Sequence, residues 1–395
     1  VTTSGTNSFF LDNSDIVLEA FDRCQIRPTA LTRQHMISAT RSLNLCLQSM
    51  SNRGVNLWEV DLQTIPLVQG QATYNLPADT VSVLDAYRSS FINTNTANFN
   101  VAITTGSGSS GITINQENHG LSTGYLIQII IPISVGGLIL FGSYFVTSVI
   151  DPNNFTITAP SNATSTVILG GAVPSFTSVS TSQTFTVTLA NHGQIAGNSF
   201  DVQVGTTVGN QFLSGAFMIQ SVVDANNFTI LGPGIATASE TVFENSGQAQ
   251  VIEQNSNQEP IDQFMSPISR SEYASYATKF SQAPPTVYWF NRQTPVPSVT
   301  LWEVPDQNGP YLFKYYRMKR IQDAAASMGQ TAEIPYLFLD AICADMANRL
   351  ARKYAPQLCA ALSVEAKQAM DEAMIENREY VDIMIKPQLS GYWSI

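Results

Sequence analysis

Residues 112–157 read ITINQENHGLSTGYLIQIIIPISVGGLILFGSYFVTSVIDPNNFTI, and residues 185–230 read FTVTLANHGQIAGNSFDVQVGTTVGNQFLSGAFMIQSVVDANNFTI. The two stretches align without a gap, and 17 of 46 positions are identical. Turn-forming residues recur in place. Asn118-His119-Gly120 matches Asn191-His192-Gly193, Gly142 matches Gly215, and Asp151 with Asn153-Asn154 matches Asp224 with Asn226-Asn227. Between the turns the apolar residues alternate, as in Ile127, Ile129 and Ile131 against Phe200, Val202 and Val204. A period of two marks strands, so the pair is read as a duplicated β-module. In Asn-His-Gly the histidine is expected to take an unusual backbone angle beside glycine, and each Asp-x-Asn-Asn is expected to be a tight turn.

The duplication also decides an ambiguous segment. Residues 125–146 are apolar, uncharged and long enough to cross a bilayer as a helix. Their counterpart, residues 198–219, is polar, so both are predicted to be β-hairpins. The extra apolar residues of the first copy are expected to form an exposed patch facing another protein.

Outside the modules the pattern changes. A short helix is predicted over 13–24, capped by Asn13 or Ser14, and a longer one over 30–53, capped by Thr29. Strands are predicted near 57–62, 72–76 and 81–90, and three more between residues 284 and 321. Residues 266–280 hold a capped short helix. Pro335 opens a helix that runs to about Tyr354, and a last helix covers roughly 363–385. The fold expected from this is α+β: a helical bundle core with a small antiparallel β-sheet, plus an inserted all-β region of two tandem repeats. The core comprises residues 1–95 and 251–395. The insert is 96–250, with modules at about 108–170 and 181–243.

Only 12% of residues are charged, about half the usual share, and the net charge is −11. A protein that grips nucleic acid needs clustered Lys and Arg. The one basic cluster is Lys314, Arg317, Lys319 and Arg320 with Tyr315 and Tyr316, and it reads as a strand edge. His119, His192 and His35 lack neighbouring ligands in sequence, so no metal site is expected. There is no Gly-x-Ser-x-Gly elbow, phosphate loop or dinucleotide fingerprint. Cys24, Cys46, Cys343 and Cys359 contain no CxxC pair and read as small buried hydrophobes. No catalytic residue, cofactor or signal peptide is expected.

Three segments carry a family resemblance: TYNLPADTVSVLDAYR (73–88), residues 266–324 around APPTVYWFNRQ, and IPYLFLDAICADMANRLARKY (334–354). In this order they resemble the head-to-tail adaptor, or connector, proteins of tailed bacteriophages. The repeat wording NHGLSTG…NNFTI resembles a β-module of phage tail and virion proteins. The resemblance implies a non-enzymatic virion protein, made in the host cytoplasm and placed at the head-tail junction. It implies a homo-oligomeric ring, a dodecamer, docked beneath the portal protein. Such a ring extends the channel through which double-stranded DNA passes during genome ejection. It also offers a platform to tail nozzle and tail fibre proteins, with no membrane partner. The C-terminal tail would reach the portal through Tyr392, Trp393 and Ile395. The acidic last helix, with Glu372, Glu376 and Glu379, would line the channel. The competing readings are another tail component, such as a nozzle or fibre-attachment protein, and a virion carbohydrate-binding protein.

Overall fold

The computed structural model describes residues 5–6, 9–51, 57–255, 259–324 and 330–377. The chain opens with helices α1 (Asn13–Arg23) and α2 (Arg33–Ser51). Asp12, not Asn13 or Ser14, caps α1. Its carboxylate accepts the N–H of Asp15 at 2.7 Å, and Asp15 answers to the N–H of Asp12. Pro28–Ala30 form a 3-10 turn, which delays α2 by three residues relative to the sequence reading.

Strands β1 (Val60–Pro66), β2 (Thr73–Asn75) and β3 (Thr80–Ser90) follow. The first module region holds β4 (Thr94–Asn100), β5 (Ile103–Thr105), β6 (Gly111–Asn115), β7 (Leu126–Val135), β8 (Leu138–Asp151), β9 (Asn154–Thr158) and β10 (Val167–Gly170). The second holds β11 (Ser175–Thr177), β12 (Thr184–Thr188), β13 (Ser199–Val208), β14 (Gln211–Val222), β15 (Asn227–Leu231) and β16 (Thr241–Phe243). The chain returns through β17 (Gln248–Gln254), β18 (Ile261–Pro267), α3 (Arg270–Ser275), β19 (Val287–Asn291), β20 (Ser298–Trp302) and β21 (Tyr311–Lys319). It ends in α4 (Leu339–Tyr354) and α5 (Cys359–Glu376).

The duplication is visible in the topology. The first copy runs β10-β5-β6-β9-β8-β7, and the second runs β16-β11-β12-β15-β14-β13. The copies differ at one edge. In the first, β17 and then β4 extend the sheet beyond β7 to eight strands; in the second, the sheet ends at β13 with six. Phe155 and Phe228, equivalent residues, are both fully buried at the centre of their modules.

The expectation of a helical bundle core with a small sheet is overturned. Of the described residues, 40% are strand and 24% helix. Beyond the modules it forms a seven-stranded sheet, β1-β21-β3-β18-β19-β20-β2, over a core that includes Tyr74, Tyr288, Leu301 and Phe313. The flanking strands look minor in sequence because they are short and separated by more than a hundred residues of modules. The strand pairings that assemble them, such as β2 with β20 and β3 with β18, are long-range. The helices share an apolar core of their own, with Phe21, Leu43, Phe338, Ile342, Leu350 and Met370.

The chain divides into two compact units: Val1–Asp61, Asp79–Ser82 and Arg317–Ile395 in one, Leu62–Ala78 and Val83–Tyr316 in the other. No helix among the described residues is long and apolar enough to cross a membrane. The run 125–146 is the hairpin β7–β8, turning at Gly136-Gly137. Its apolar residues are not an exposed patch. Every residue of β7 is buried, and Ile139 at the start of β8 packs on the core of the second module. The neighbour they face is this chain itself.

Candidate functional site

The repeated histidines occupy matching sites. His119 Nε2 lies 3.0 Å from the carbonyl oxygen of Asp151, and its Nδ1 accepts the N–H of Leu121 at 2.9 Å. His192 Nε2 lies 3.0 Å from the carbonyl oxygen of Asp224, and its Nδ1 accepts the N–H of Gln194 at 2.8 Å. An Nδ1 that accepts must be bare, so the proton sits on Nε2 and is donated to the carbonyl. Each ring meets the central phenylalanine edge-on, at 5.0 Å for Phe155 and 4.8 Å for Phe228. Both imidazole nitrogens are therefore engaged: Nδ1 braces the histidine's own turn, and Nε2 ties it to the other. The left-handed backbone angles fall on Asn118 and Gly120, and on Asn191 and Gly193, rather than on the histidines. The second turn is held by Asp151, which accepts from Asn153 N and Asn154 Nδ2, and by Asp224 in the same way. The Asn154 and Asn227 side chains, followed by the Asn153 and Asn226 backbone, hold these carboxyls below their ordinary pKa.

The joint between the modules and the rest of their unit carries buried polar groups. Glu244 is fully buried, and its Oε1 accepts the N–H groups of Gln203 and Val204 at 2.9 and 3.0 Å. These two residues lie where the β13–β14 register shifts, so the carboxylate satisfies donors that the bulge frees. Its other oxygen has no partner. Burial pushes the Glu244 carboxyl up to about 7, against the two backbone N–H groups and with Asp201 adding to the rise. Glu253 on β17 is also buried and takes a hydrogen bond from Gln116 Nε2 at 2.5 Å. Gln69 Nε2 donates to Gln203 Oε1 at 2.8 Å, and Gln282 Nε2 to Asp201 at 3.2 Å. The second module is thus stitched to the loops of the seven-stranded sheet.

Three of the four cations of the basic cluster are paired with carboxylates. Arg317 is buried and paired with Asp61 at 3.1 Å and with Asp79 at 2.5 Å. Lys314 pairs with Asp262 at 3.1 Å, and Lys319 with Glu333 and with Glu59. Cations held by carboxylates on their own chain offer little to phosphates. A second basic hub, which the sequence did not reveal, is Arg23. It joins Glu19, Asp340 and Glu365 at 3.0, 2.6 and 2.9 Å and so ties α1, α4 and α5 together. No disulfide joins the four cysteines, and burial raises the Cys24 thiol and pushes that of Cys343 up to about 11. Thiols so placed stay protonated and poorly nucleophilic. Among the described residues no three His, Cys, Asp or Glu side chains are grouped to hold a metal ion.

No family model matches this sequence, and no curated protein matches it. Among solved structures, the phage phi92 endosialidase is similar over 69% of this chain and 60% of its own, at 12% identity and a TM-score of 0.18. The chain thus spans about 60% of the length of that structure. A TM-score this low carries no argument about fold or activity.

The residues singled out from sequence do not converge on one place. Glu372 and Glu376 lie on the exposed side of α5, opposite the buried Leu362, Ala366, Met370 and Ala373. Glu379, Tyr392, Trp393 and Ile395 lie outside the described residues. His119 and His192 are brought into equivalent turns, one per module. Glu244 was missed because nothing around a single acid in a polar stretch announces burial.

Proposed function

We propose that this chain is a structural subunit of a tailed-phage particle. Copies assemble at the head-tail junction into a ring, a dodecamer, that continues the DNA channel below the portal and receives nozzle or fibre proteins. One observation supports this reading. Two of the segments that resemble head-to-tail adaptors, 73–88 and 266–324, are separated in sequence by both modules, yet their strands β2, β3, β19, β20 and β21 share one sheet. Segments that resemble one family and co-fold across an insertion act as one inherited element, and the modules are an elaboration within its β-rich unit.

The role is structural rather than catalytic on this reading. The acidic face of α5, including Glu372 and Glu376, would repel DNA phosphates and let the duplex slide if it faces the channel. Tyr392, Trp393 and Ile395 supply the apolar groups that would seat on the portal. The direct test is imaging of intact particles with this chain labelled. Twelve copies at the portal exit are expected. Labels distributed along fibres, or over the capsid, would refute the assignment.

A further inference from the structure

Each module has a strand edge that can be compared with its twin. In the first copy β17 lies antiparallel on β7, with Glu253 opposite Ile127, Ile252 opposite Gln128 and Val251 opposite Ile129. The equivalent residues of the second copy are Phe200, Asp201 and Val202 on β13, and no strand pairs with them on that side. The carboxylate of Glu244 occupies the edge only further along, at Gln203 and Val204. Among the described residues the three sheets end in β1 and β2, β10 and β4, and β13 and β16. Strand β4 bonds to β17 along all seven residues, Thr94 to Asn100, and is the last strand of its sheet.

Exposed edges are templates for pairing, and proteins blunt them with charge, proline or bulges. Strand β4 has none of these: its sequence, TNTANFN, is uncharged and its register with β17 is unbroken. In a chain of net charge −11, an uncharged edge is where a second copy can approach without like-charge repulsion. Asp201 already takes one hydrogen bond, from Gln282 through Oδ2, so the exposed Asn and Thr side chains of β4 can donate only to the acceptor positions left on that carboxylate.

We propose that β4 of one copy adds to the open edge of β13 at Ser199–Val202 of the next copy. The visiting strand takes the place that β17 holds on β7. Two different edges meet, so the contact is heterologous and propagates from copy to copy, which closes into a ring or runs on as a filament. The inference rests on strand topology and not on the head-tail assignment, so its failure leaves that assignment untouched.

The test uses the full chain with Cys359→Ser, since Cys24, Cys46 and Cys343 are buried. Thr96→Cys and Asp201→Cys are made separately and treated with a short thiol cross-linker, alone and mixed. The expected result is a cross-linked dimer in the mixture, none in either variant alone, and a ladder of multimers when one chain carries both changes. In the unsubstituted protein, amide hydrogen exchange at 94–100 and 199–202 should slow as concentration rises. A monomer with no mixed product and concentration-independent exchange overturns the proposal. So does efficient cross-linking of Asp201→Cys with itself, which would mean that the edge pairs across a two-fold axis.

Discussion

His192 and Asp224 are joined through the ring Nε2 of one and the backbone carbonyl of the other, 3.0 Å apart, and His119 and Asp151 repeat the contact at the same distance. The bond ties the turn after β12 to the turn before β15 in the second module, and the turn after β6 to the turn before β9 in the first. A shared geometry in two copies that differ at most positions shows which contact the module needs.

His192→Ala should therefore destabilise the protein. It frees one carbonyl and one N–H and removes the edge contact with Phe228, a loss of about 2–4 kcal/mol on the usual cost of unmade buried hydrogen bonds and lost packing. His119→Ala should cost a similar amount. Urea unfolding of both variants checks this. A change within the error of the wild-type midpoint would show that the clamp is dispensable.

Glu244 predicts a pH dependence. Its folded pKa lies near 7, well above an unfolded glutamate, so between those values the native state binds a proton that the unfolded state has released. Stability from this group is therefore greatest at acid pH and falls as pH rises through 7. The full swing is on the order of 3 kcal/mol. Asp151 and Asp224 act oppositely, since lowered carboxyls contribute stability that is lost as pH falls through their folded values. Glu244→Gln keeps an oxygen for Gln203 and Val204 and removes the titration. The variant should lose the decline between pH 5 and 8, followed by thermal melting; an unchanged slope would place its origin elsewhere.

Gly142 and Gly215 are equivalent, and both have positive φ, +91° and +81°. A Cβ at Gly142 would stand 2.7 Å from Val68 Cγ1, whereas one at Gly215 meets nothing within 4 Å. Both alanine variants carry the backbone penalty of a left-handed angle. Only Gly142→Ala adds overpacking, and it should be about 1–3 kcal/mol worse. The difference between the two unfolding free energies measures how closely the first module sits on the loop at Val68.

Excision has a natural cut. Asn255 N donates to the carbonyl of Asn93 at 3.1 Å, so the two ends of the module region are already adjacent. Removing 94–254 and joining 93 to 255 should leave a soluble, folded chain. Removing 101–250 should not, because it cuts away the first three residues of β17 and leaves only Thr94–Ala97 of β4 with partners. Comparing soluble yield and amide dispersion of the two deletions decides the matter.

Turn chemistry and period were legible locally. Asp-x-Asn-Asn, Asn-His-Gly and alternating apolar residues act within a few positions, and their duplication separated a hairpin from a membrane helix. The sequence therefore determined the module, its count and the helices at both ends, since caps and periodicity are properties of short windows. The tertiary structure alone decided that distant strands join into a seven-stranded sheet, which made the chain mainly β. It alone decided that β17 covers β7 while β13 stays open, and that Glu244 is buried and Arg317 neutralised. The physical reason is one of range: strand pairing and burial depend on which residues more than a hundred positions away arrive alongside, and loop closure over such distances leaves no periodic trace in the chain.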